Sequence, residues 1–162
     1  MKVKIEPVTI DDLPAILRIE RLGFNAEEAG NEAEFRDRIN KLPDTFLVAK
    51  IGSQVVGFVV GPAVKEKYVQ DEMYVHTPTN LPKGGNQLIY SIATDPEYRG
   101  NGIGSKLLSA LEKEARAHQR ETISLDSLEK NVPFYEHNGF KRVQISQSSH
   151  ANETWFNMVK KL

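Results

Sequence analysis

The sequence predicts one mixed α/β domain, in which about four helices cover both faces of a mostly antiparallel sheet of about six or seven strands. Three observations lead to this prediction. The length of 162 residues fits a single domain. β-rich and amphipathic segments alternate along the chain. The composition, with 40% hydrophobic and 27% charged residues, is that of an ordinary globular protein.

Charge and composition exclude several classes of function. The formal net charge is -1, which argues against nucleic-acid binding through overall charge. Cysteine is absent, so disulfides, Cys-ligated zinc, iron–sulfur clusters and a Cys nucleophile are excluded. No apolar run approaches the roughly 20 residues of a membrane span, and the first residues carry no secretory signal. We therefore expect a cytoplasmic protein with no metal, membrane or nucleic-acid partner.

The first segments predict a strand and a helix. Residues 3–10 alternate loosely between apolar and polar side chains, which is typical of a strand. Asp11 and Asp12 then stand before apolar residues at helical spacing, and Pro14 falls in the first turn, where its missing N–H costs little. The apolar set that we expect to face the core comprises Leu13, Ile16, Leu17 and Leu22.

A second helix and a hairpin are predicted next. Residues 32–42 have helical spacing, with Phe35 and Ile39 facing inward. Residues 45–51 and 54–64 are rich in β-branched and aromatic side chains, and a Gly-Ser pair separates them. This pattern indicates two antiparallel strands joined by a short turn.

A long loop, a strand and the clearest helix follow. Residues 65–86 lack periodicity and contain two prolines and a Gly-Gly pair, and we expect this loop to border the active site. Residues 87–94 are predicted as one strand. Residues 102–118 predict an amphipathic helix. Its apolar face comprises Ile103, Leu107, Leu108, Leu111 and Ala115.

The last third predicts three strands and a short helix. Residues 122–125 form the first of these strands, and residues 132–138 the helix, with Asn131 as its N-cap. Residues 140–146 and 153–160 predict two closing strands. The predicted order is therefore β-α-α-β-β-β-α-β-α-β-β.

The turn between residues 94 and 105 carries the most specific signal. A strand ends, a turn containing Gly100, Gly102 and Gly104 follows, and an amphipathic helix begins. The first N–H groups of a helix are unpaired and carry about half a positive charge. Glycines allow these amides to approach a phosphate closely. The segment therefore predicts a phosphate or pyrophosphate cradle.

Two nucleotide-binding patterns fit this turn poorly. A P-loop requires four residues between its glycines and a following Gly-Lys-Ser/Thr, which the segment lacks. A Rossmann fingerprint requires glycine where Ser105 stands, although Asp126, about 20 residues further on, would suit a ribose hydroxyl. A Rossmann NAD module and a purely structural turn remain alternatives.

Two motifs together resemble one known family. Arg99-Gly-Asn-Gly-Ile-Gly104 resembles motif A of the GNAT superfamily of N-acetyltransferases, written Arg/Gln-x-x-Gly-x-Gly/Ala. Residues 132–140, Val-Pro-Phe-Tyr-Glu-His-Asn-Gly-Phe, resemble motif B. The resemblance covers essentially the whole chain and implies the GNAT fold and a single N-acetyltransferase domain over residues 1–162. Residues 20–24 and the segment Phe46-Leu-Val-Ala are similar to the arylalkylamine branch.

The resemblance implies acetyl-CoA as co-substrate. The molecule would lie in a V-shaped split between two central strands, the first of which matches residues 87–94. Backbone groups of Ile92, Ala93 and Thr94 would bind the pantetheine and thioester, and the amides of residues 100–105 the pyrophosphate. The full implied set is Ile92, Ala93, Thr94, Arg99, Gly100, Asn101, Gly102, Ile103, Gly104, Ser105 and Tyr135.

The resemblance also assigns catalytic roles. Tyr135 matches a general acid that would protonate the leaving thiolate, and it can also serve as a core aromatic. The histidines through which arylalkylamine enzymes deprotonate the amine would fall at Leu88 and Tyr90, so they are missing. Glu28 becomes the candidate base and Tyr90 a candidate acceptor-site residue. The alternatives are Glu20, His76 and a water chain.

The leading hypothesis is an N-acetyltransferase that moves an acetyl group from acetyl-CoA to a primary amine, on a small molecule or a peptide, by direct attack in a ternary complex. The acidic window that holds Glu27, Glu28, Glu32 and Glu34 beside Phe24 suits a cationic amine, and a solvated helix face would explain it equally well. The alternative is a non-catalytic acyl-CoA-binding or regulatory domain. Edge strands of such sheets could pair in a homodimer.

Overall fold

The computed structural model describes residues 2–162, which fold into nine strands and four α-helices joined by short 3-10 turns and loops. In chain order they are β1 (Lys4–Pro7), α1 (Leu13–Gly23), α2 (Glu32–Lys41), β2 (Phe46–Ile51), β3 (Gln54–Val60), β4 (Ala63–Val64), β5 (Asn86–Ile89), β6 (Ser91–Thr94), α3 (Ile103–Ala117), β7 (Thr122–Ser127), α4 (Val132–His137), β8 (Lys141–Ile145) and β9 (Phe156–Lys161). The predicted class and the predicted helices are confirmed. No helix within residues 2–162 is both long and apolar enough to cross a membrane.

The strands form two sheets where one was expected. The first has the order β1-β2-β3-β6 and is antiparallel throughout. The second has the order β4-β5-β7-β9-β8, and β5 and β7 are its parallel pair. The predicted continuous strand over residues 87–94 is interrupted at Tyr90, whose N–H donates to Val60 O at 2.7 Å. Because β5 pairs with β7 whereas β6 pairs with β3, the chain changes sheet at Tyr90 and a split opens between β6 and β7.

Helices cover both faces of the first sheet, as predicted. Val59 of β3 packs in the core under α3. A register shift in the pairing of β2 with β3, between Ala49 and Lys50, interrupts the usual alternation of side chains, so Val56 packs in the same core although it lies three residues earlier. Val55, Phe58 and Val60 of the same strand pack in a second core with α1 and α2. These two cores hold β6 firmly at one side of the split.

The apolar stripes of the helices are confirmed with one exception. All five predicted residues of α3 are at most 4% exposed. Leu13, Ile16 and Leu17 of α1 are buried, but Leu22 is 54% exposed, so that prediction is wrong. Leu22 follows Leu17 by five residues, and five steps of about 100° turn it away from the buried face.

The segment between β4 and β5 is held by side chains from other parts of the chain. Asn80 Oδ1 accepts from Ala63 N at 2.8 Å. The buried Arg120 donates to Gly84 O at 2.9 Å and to Leu81 O at 2.8 Å. A short 3-10 turn covers Asp71–Tyr74. Polar contacts on both sides of this turn thus fix the loop, which carries Tyr74.

Candidate active site

The glycine-rich turn lies at the start of α3, as the sequence predicts. Gly102 is the N-cap with φ +74°, and Gly100 has φ +82°, so both lie in the left-handed region that favours glycine. Apart from the glycine itself and its two neighbours in the chain, no atom of residues 2–162 lies within 4 Å of the position that a Cβ would occupy at either residue. The backbone conformation therefore requires glycine here, and the space beside both residues is open.

Gly104 has a different reason to be glycine. It lies in the first turn of α3, and a Cβ there would come within 2.9 Å of Phe134 Cζ. Asn101 stabilises the turn itself, because its Nδ2 donates to Tyr98 O at 2.9 Å. The close approach of Gly104 to Phe134 places motif A in direct contact with motif B.

A cleft of about 610 Å³ runs from this turn along β6 to α4. Ten of the eleven residues that the sequence assigned to the cofactor line the cleft, and Asn101 is the exception. Arg99 and Lys130 bring positive charge to the cleft, and Phe134 contributes an aromatic face. The cleft therefore offers backbone amides and two cations for an anionic ligand.

Tyr135 lies where this cleft meets a smaller inner cavity of about 80 Å³, and it lines both. Its ring packs edge-on against Phe134 and Phe140, at centroid distances of 5.1 and 5.9 Å. Its hydroxyl has no hydrogen-bond partner among residues 2–162, and burial raises the pKa of the phenol. Tyr135 is thus both a core aromatic and a protonated hydroxyl at the junction.

Asp126 of β7 lines the inner cavity across the split from β6. Asn157 Nδ2 donates to its Oδ1 at 2.5 Å, and Ser146 Oγ donates to its Oδ2 at 2.9 Å. Burial raises the pKa of this carboxyl to about 6. From the sequence, Asp126 was a candidate only as a ribose ligand; its position at a strand end, six residues before the first residue of motif B, was the available signal.

Glu20 of α1 also lines the cavity and is 3% exposed. Its Oε1 accepts from Ser91 Oγ at 2.7 Å and its Oε2 from Gly30 N at 2.8 Å. Burial raises the pKa of this carboxyl. Glu20 therefore joins α1, β6 and the segment between α1 and α2.

The residues named from sequence for the acceptor side are less well placed for proton transfer. Glu28 lines the cavity, but its Oε1 accepts from Asn25 N at 3.1 Å, within a turn. Tyr90 also lines the cavity, while its hydroxyl donates to Met73 O at 2.7 Å. His76 is not part of the cavity wall.

Four rings form one side of the inner cavity, the aromatic wall: Tyr90, Tyr74, His150 and Trp155. Successive centroids lie 5.1, 5.4 and 5.9 Å apart. The loop between β4 and β5 borders the cavity through Tyr74, and that this cavity is the active site stays a prediction. Within residues 2–162 the cavity is lined by three carboxyl groups and by no Lys or Arg.

The fold and the site together define an α/β protein with a cleft for an anionic cofactor that opens into a small, acidic and aromatic cavity. Residues 12–140 match the model of the Acetyltransferase (GNAT) family, and the chain belongs to this family. The matches do not specify the arylalkylamine branch, which stays a prediction.

Among curated proteins, the chain is 39% identical over 61 residues to "Glucosamine 6-phosphate N-acetyltransferase" of Trypanosoma brucei brucei. This alignment covers 36% of this chain and 42% of that protein. It is 30% identical over 94 residues to "Acetyltransferase SG1711" of Sodalis glossinidius (strain morsitans), covering 58% and 53%. The chain thus spans about half the length of these relatives or less. The structure "Arabidopsis thaliana Naa50 in complex with bisubstrate analogue CoA-Ac-MVNAL" has a TM-score of 0.77 at 18% identity and covers 100% of both chains.

Proposed function

We propose that residues 1–162 form a single N-acetyltransferase domain that transfers an acetyl group from acetyl-CoA to a primary amine. The observation that carries this proposal is the position of Tyr135, at the junction between the cofactor-sized cleft and the inner cavity. A direct transfer needs both substrates bound at once, with a proton donor where they meet. Membership of the acetyltransferase family supports the same reaction.

The cleft suits acetyl-CoA. The open space beside Gly100 and Gly102 leaves the first amides of α3 free for the pyrophosphate. Arg99 and Lys130 supply charge for phosphate groups. β6 lies in the cleft wall through Ile92, Ala93 and Thr94, and the split between β6 and β7 leaves backbone groups for the pantetheine.

The inner cavity suits the amine. About 80 Å³ is roughly half of a cavity that accepts benzene (about 150 Å³), so the head of the acceptor is small and unbranched. The aromatic wall and the carboxyl groups favour an ammonium group. Naa50 is bound to an analogue that contains a peptide, so short peptides belong in the acceptor panel beside small amines.

Asp126 replaces Glu28 in our proposal as the proton acceptor. An ammonium group must lose a proton before its nitrogen can attack, and a carboxylate with a pKa of about 6 is a stronger base than an ordinary Asp. The proton moves from the ammonium to Asp126, the nitrogen attacks the thioester carbonyl, and the C–S bond breaks. Tyr135 then donates its proton to the departing thiolate, and the second proton that the attacking nitrogen must lose passes through water to the Tyr135 phenolate, which leaves a neutral amide and a protonated tyrosine.

Two measurements test the proposal in order. Calorimetric titration with acetyl-CoA, CoA and NAD should give micromolar binding of acetyl-CoA and no binding of NAD. A thiol-release assay over the amine and peptide panel should then show turnover. Binding of NAD instead of acetyl-CoA would overturn the proposal. Binding of acetyl-CoA without thiol release for any acceptor would favour the non-catalytic acyl-CoA-binding domain.

A further inference from the structure

The hairpin formed by β8 and β9 holds the side chain of Asp126 through residues that lie outside the inner cavity. Asp126 pairs with Asn157 in the β7–β9 register, and Ser146 follows β8, with its N–H bonded to Trp155 O at 2.7 Å. Asn157 and Ser146 donate to the two carboxylate oxygens of Asp126. Neither side chain lines the inner cavity. Both line an outer groove of about 580 Å³ on the other side of Asp126.

Each of these two side chains is oriented by a further hydrogen bond. Gln144 Nε2 donates to Asn157 Oδ1 at 2.9 Å, so the amide oxygen of Asn157 is occupied and its NH2 group faces Asp126. Ser148 N donates to Ser146 Oγ at 3.0 Å, which leaves the hydroxyl proton of Ser146 for Asp126. Both groups therefore present donors to Asp126, and donors stabilise the charged form of a carboxyl group.

Asp71, which lies in the loop between β4 and β5, has the opposite effect on Asp126 and disfavours its charged form. Its Oδ1 accepts from Ser148 Oγ at 2.6 Å and its Oδ2 from Ser149 N at 3.3 Å, so it is anchored to the hairpin that holds Asp126. Its negative charge raises the pKa of Asp126. Asp71 also lines the outer groove.

The other titratable groups that share the inner cavity with Asp126 come from α1, the segment after it, the loop before β5, the bend at Tyr90, α4 and the turn before β9. They are Glu20, Glu28, Tyr74, Tyr90, Tyr135 and His150. No cationic side chain in the described part of the chain bonds to Asp126. Its two hydrogen-bond donors are therefore the main groups that favour its ionised form.

We propose that Ser146 and Asn157 are positioning residues that hold Asp126 as an ionised proton acceptor facing the amine, and that Asp71 opposes them from the outer groove. This inference rests on the proposed function. The proton leaves the ammonium nitrogen for a carboxylate oxygen of Asp126, and the electron pair stays on nitrogen for attack on the thioester. None of the three groups in the outer groove touches the amine.

The test is the pH profile of kcat/KM for a good amine at saturating acetyl-CoA. Ser146→Ala removes one hydrogen-bond donor from the Asp126 carboxylate, so the acid limb of the variant's pH profile should move to higher pH. On the acid side of that limb, kcat/KM should fall about threefold to tenfold. Asp71→Asn keeps an acceptor for Ser148 but removes the charge, so its acid limb should move to lower pH. Activity above pH 8 should change little in either variant, whereas general structural damage would lower it at every pH. Glu72→Gln makes the same charge change beside Asp71 in the groove and should leave the profile in place.

A carboxyl-detected NMR titration of Asp126 in the same variants measures its pKa without turnover. The proposal holds if the NMR values and the acid limbs move together, upward in Ser146→Ala and downward in Asp71→Asn. It is overturned if the NMR values stay fixed, or if they move while the acid limb does not. Absence of turnover by the wild-type protein with every acceptor would instead refute the proposed function, and the positioning role in catalysis with it.

Discussion

Gly104 of α3 lies against the ring of Phe134 of α4, so closely that a Cβ on residue 104 would come within 2.9 Å of Phe134 Cζ. Phe134 is 37% exposed and forms part of the wall of the cofactor cleft. The space between the two motifs therefore depends on the absence of one methyl group. Because Phe134 lines the cleft, a ring displaced by that methyl group would change the shape of the cleft wall.

Gly104→Ala should accordingly weaken acetyl-CoA binding by about tenfold, or about 1.4 kcal/mol. The melting temperature should change little, because alanine is favoured over glycine in a helix by about 1 kcal/mol, which offsets the contact. Calorimetry and thermal denaturation measure the two effects. The double variant Gly104→Ala/Phe134→Leu should regain affinity. If it binds no better than the single variant, the contact with the ring is not the cause.

Substitution of Gly102 separates backbone strain from charge. Gly102→Gln and Gly102→Glu place side chains of equal size at φ +74°, with the same backbone strain of about 1–2 kcal/mol. We expect the Gln variant to retain measurable acetyl-CoA binding and the Glu variant to lose it, because its carboxylate meets the pyrophosphate at the start of α3. Equal affinities in calorimetry would contradict a phosphate site at this turn.

Tyr135→Phe should lower kcat by about 10²–10⁴-fold and leave the Kd for acetyl-CoA nearly unchanged. The substitution keeps the ring that packs against Phe134 and Phe140 and removes only the hydroxyl that would protonate the thiolate. Steady-state thiol release and calorimetry give the two values. An unchanged kcat would show that Tyr135 is not the acid.

Asp126→Asn should separate activity from stability. Burial raises the pKa of Asp126 from 3.8 to about 6, so the folded protein binds more protons than the unfolded chain between about pH 4 and pH 6. Stability is therefore lost as the pH rises through that window, and the cost at pH 7 is at most about 3 kcal/mol. Removing the charge should make the variant more stable than wild type by about 1–3 kcal/mol at pH 7, and no more stable at pH 4.

The same variant should lose about 10²-fold or more in kcat/KM at pH 7. Urea denaturation at the two pH values and thiol release are the measurements. Glu28→Gln is the matched control, and it should change kcat/KM less than about threefold, because its carboxylate is engaged in the turn at Asn25. A large loss in Glu28→Gln with activity retained in Asp126→Asn would restore Glu28 as the base.

The charge of the inner cavity predicts selection among amines. Glu20, Glu28 and Asp126 line the cavity, and within residues 2–162 no Lys or Arg does. A phosphorylated amine should therefore be a poorer acceptor than the same amine without phosphate, by about tenfold or more in kcat/KM. Ethanolamine and its O-phosphate form a matched pair for this comparison, since both carry an unbranched primary amine. A preference for the phosphorylated amine would contradict the assignment of this cavity to the acceptor.

Features that depend on a few neighbouring residues were predictable. The amphipathic face of α3 follows from a 3.6-residue period, and the turn before it from glycines that adopt positive φ. Motif A and motif B are equally local, and they identified the family and ten of the residues that line the cleft. The pairing of strands in a homodimer stays a prediction.

Features that join distant segments were not predictable. The break at Tyr90 arises because the first half of a β-rich run, β5, pairs with β7, whereas the second half, β6, pairs with β3. The two halves look alike in sequence. Asp126 receives its hydrogen bonds from Ser146 and Asn157, which lie 20 and 31 positions further along the chain. The aromatic wall likewise combines rings from three separate segments.

The sequence by itself thus determined the mixed α/β class, the helix–turn signal and the family, because backbone conformation and helical periodicity are encoded over short spans. Tertiary packing alone decided which carboxyl groups are buried, which of them are engaged in turns, and which three line the inner cavity together with Tyr135. The pKa and orientation of a carboxyl group depend on the solvent it loses and the donors it gains, and at Asp126 both come from parts of the chain far away in sequence.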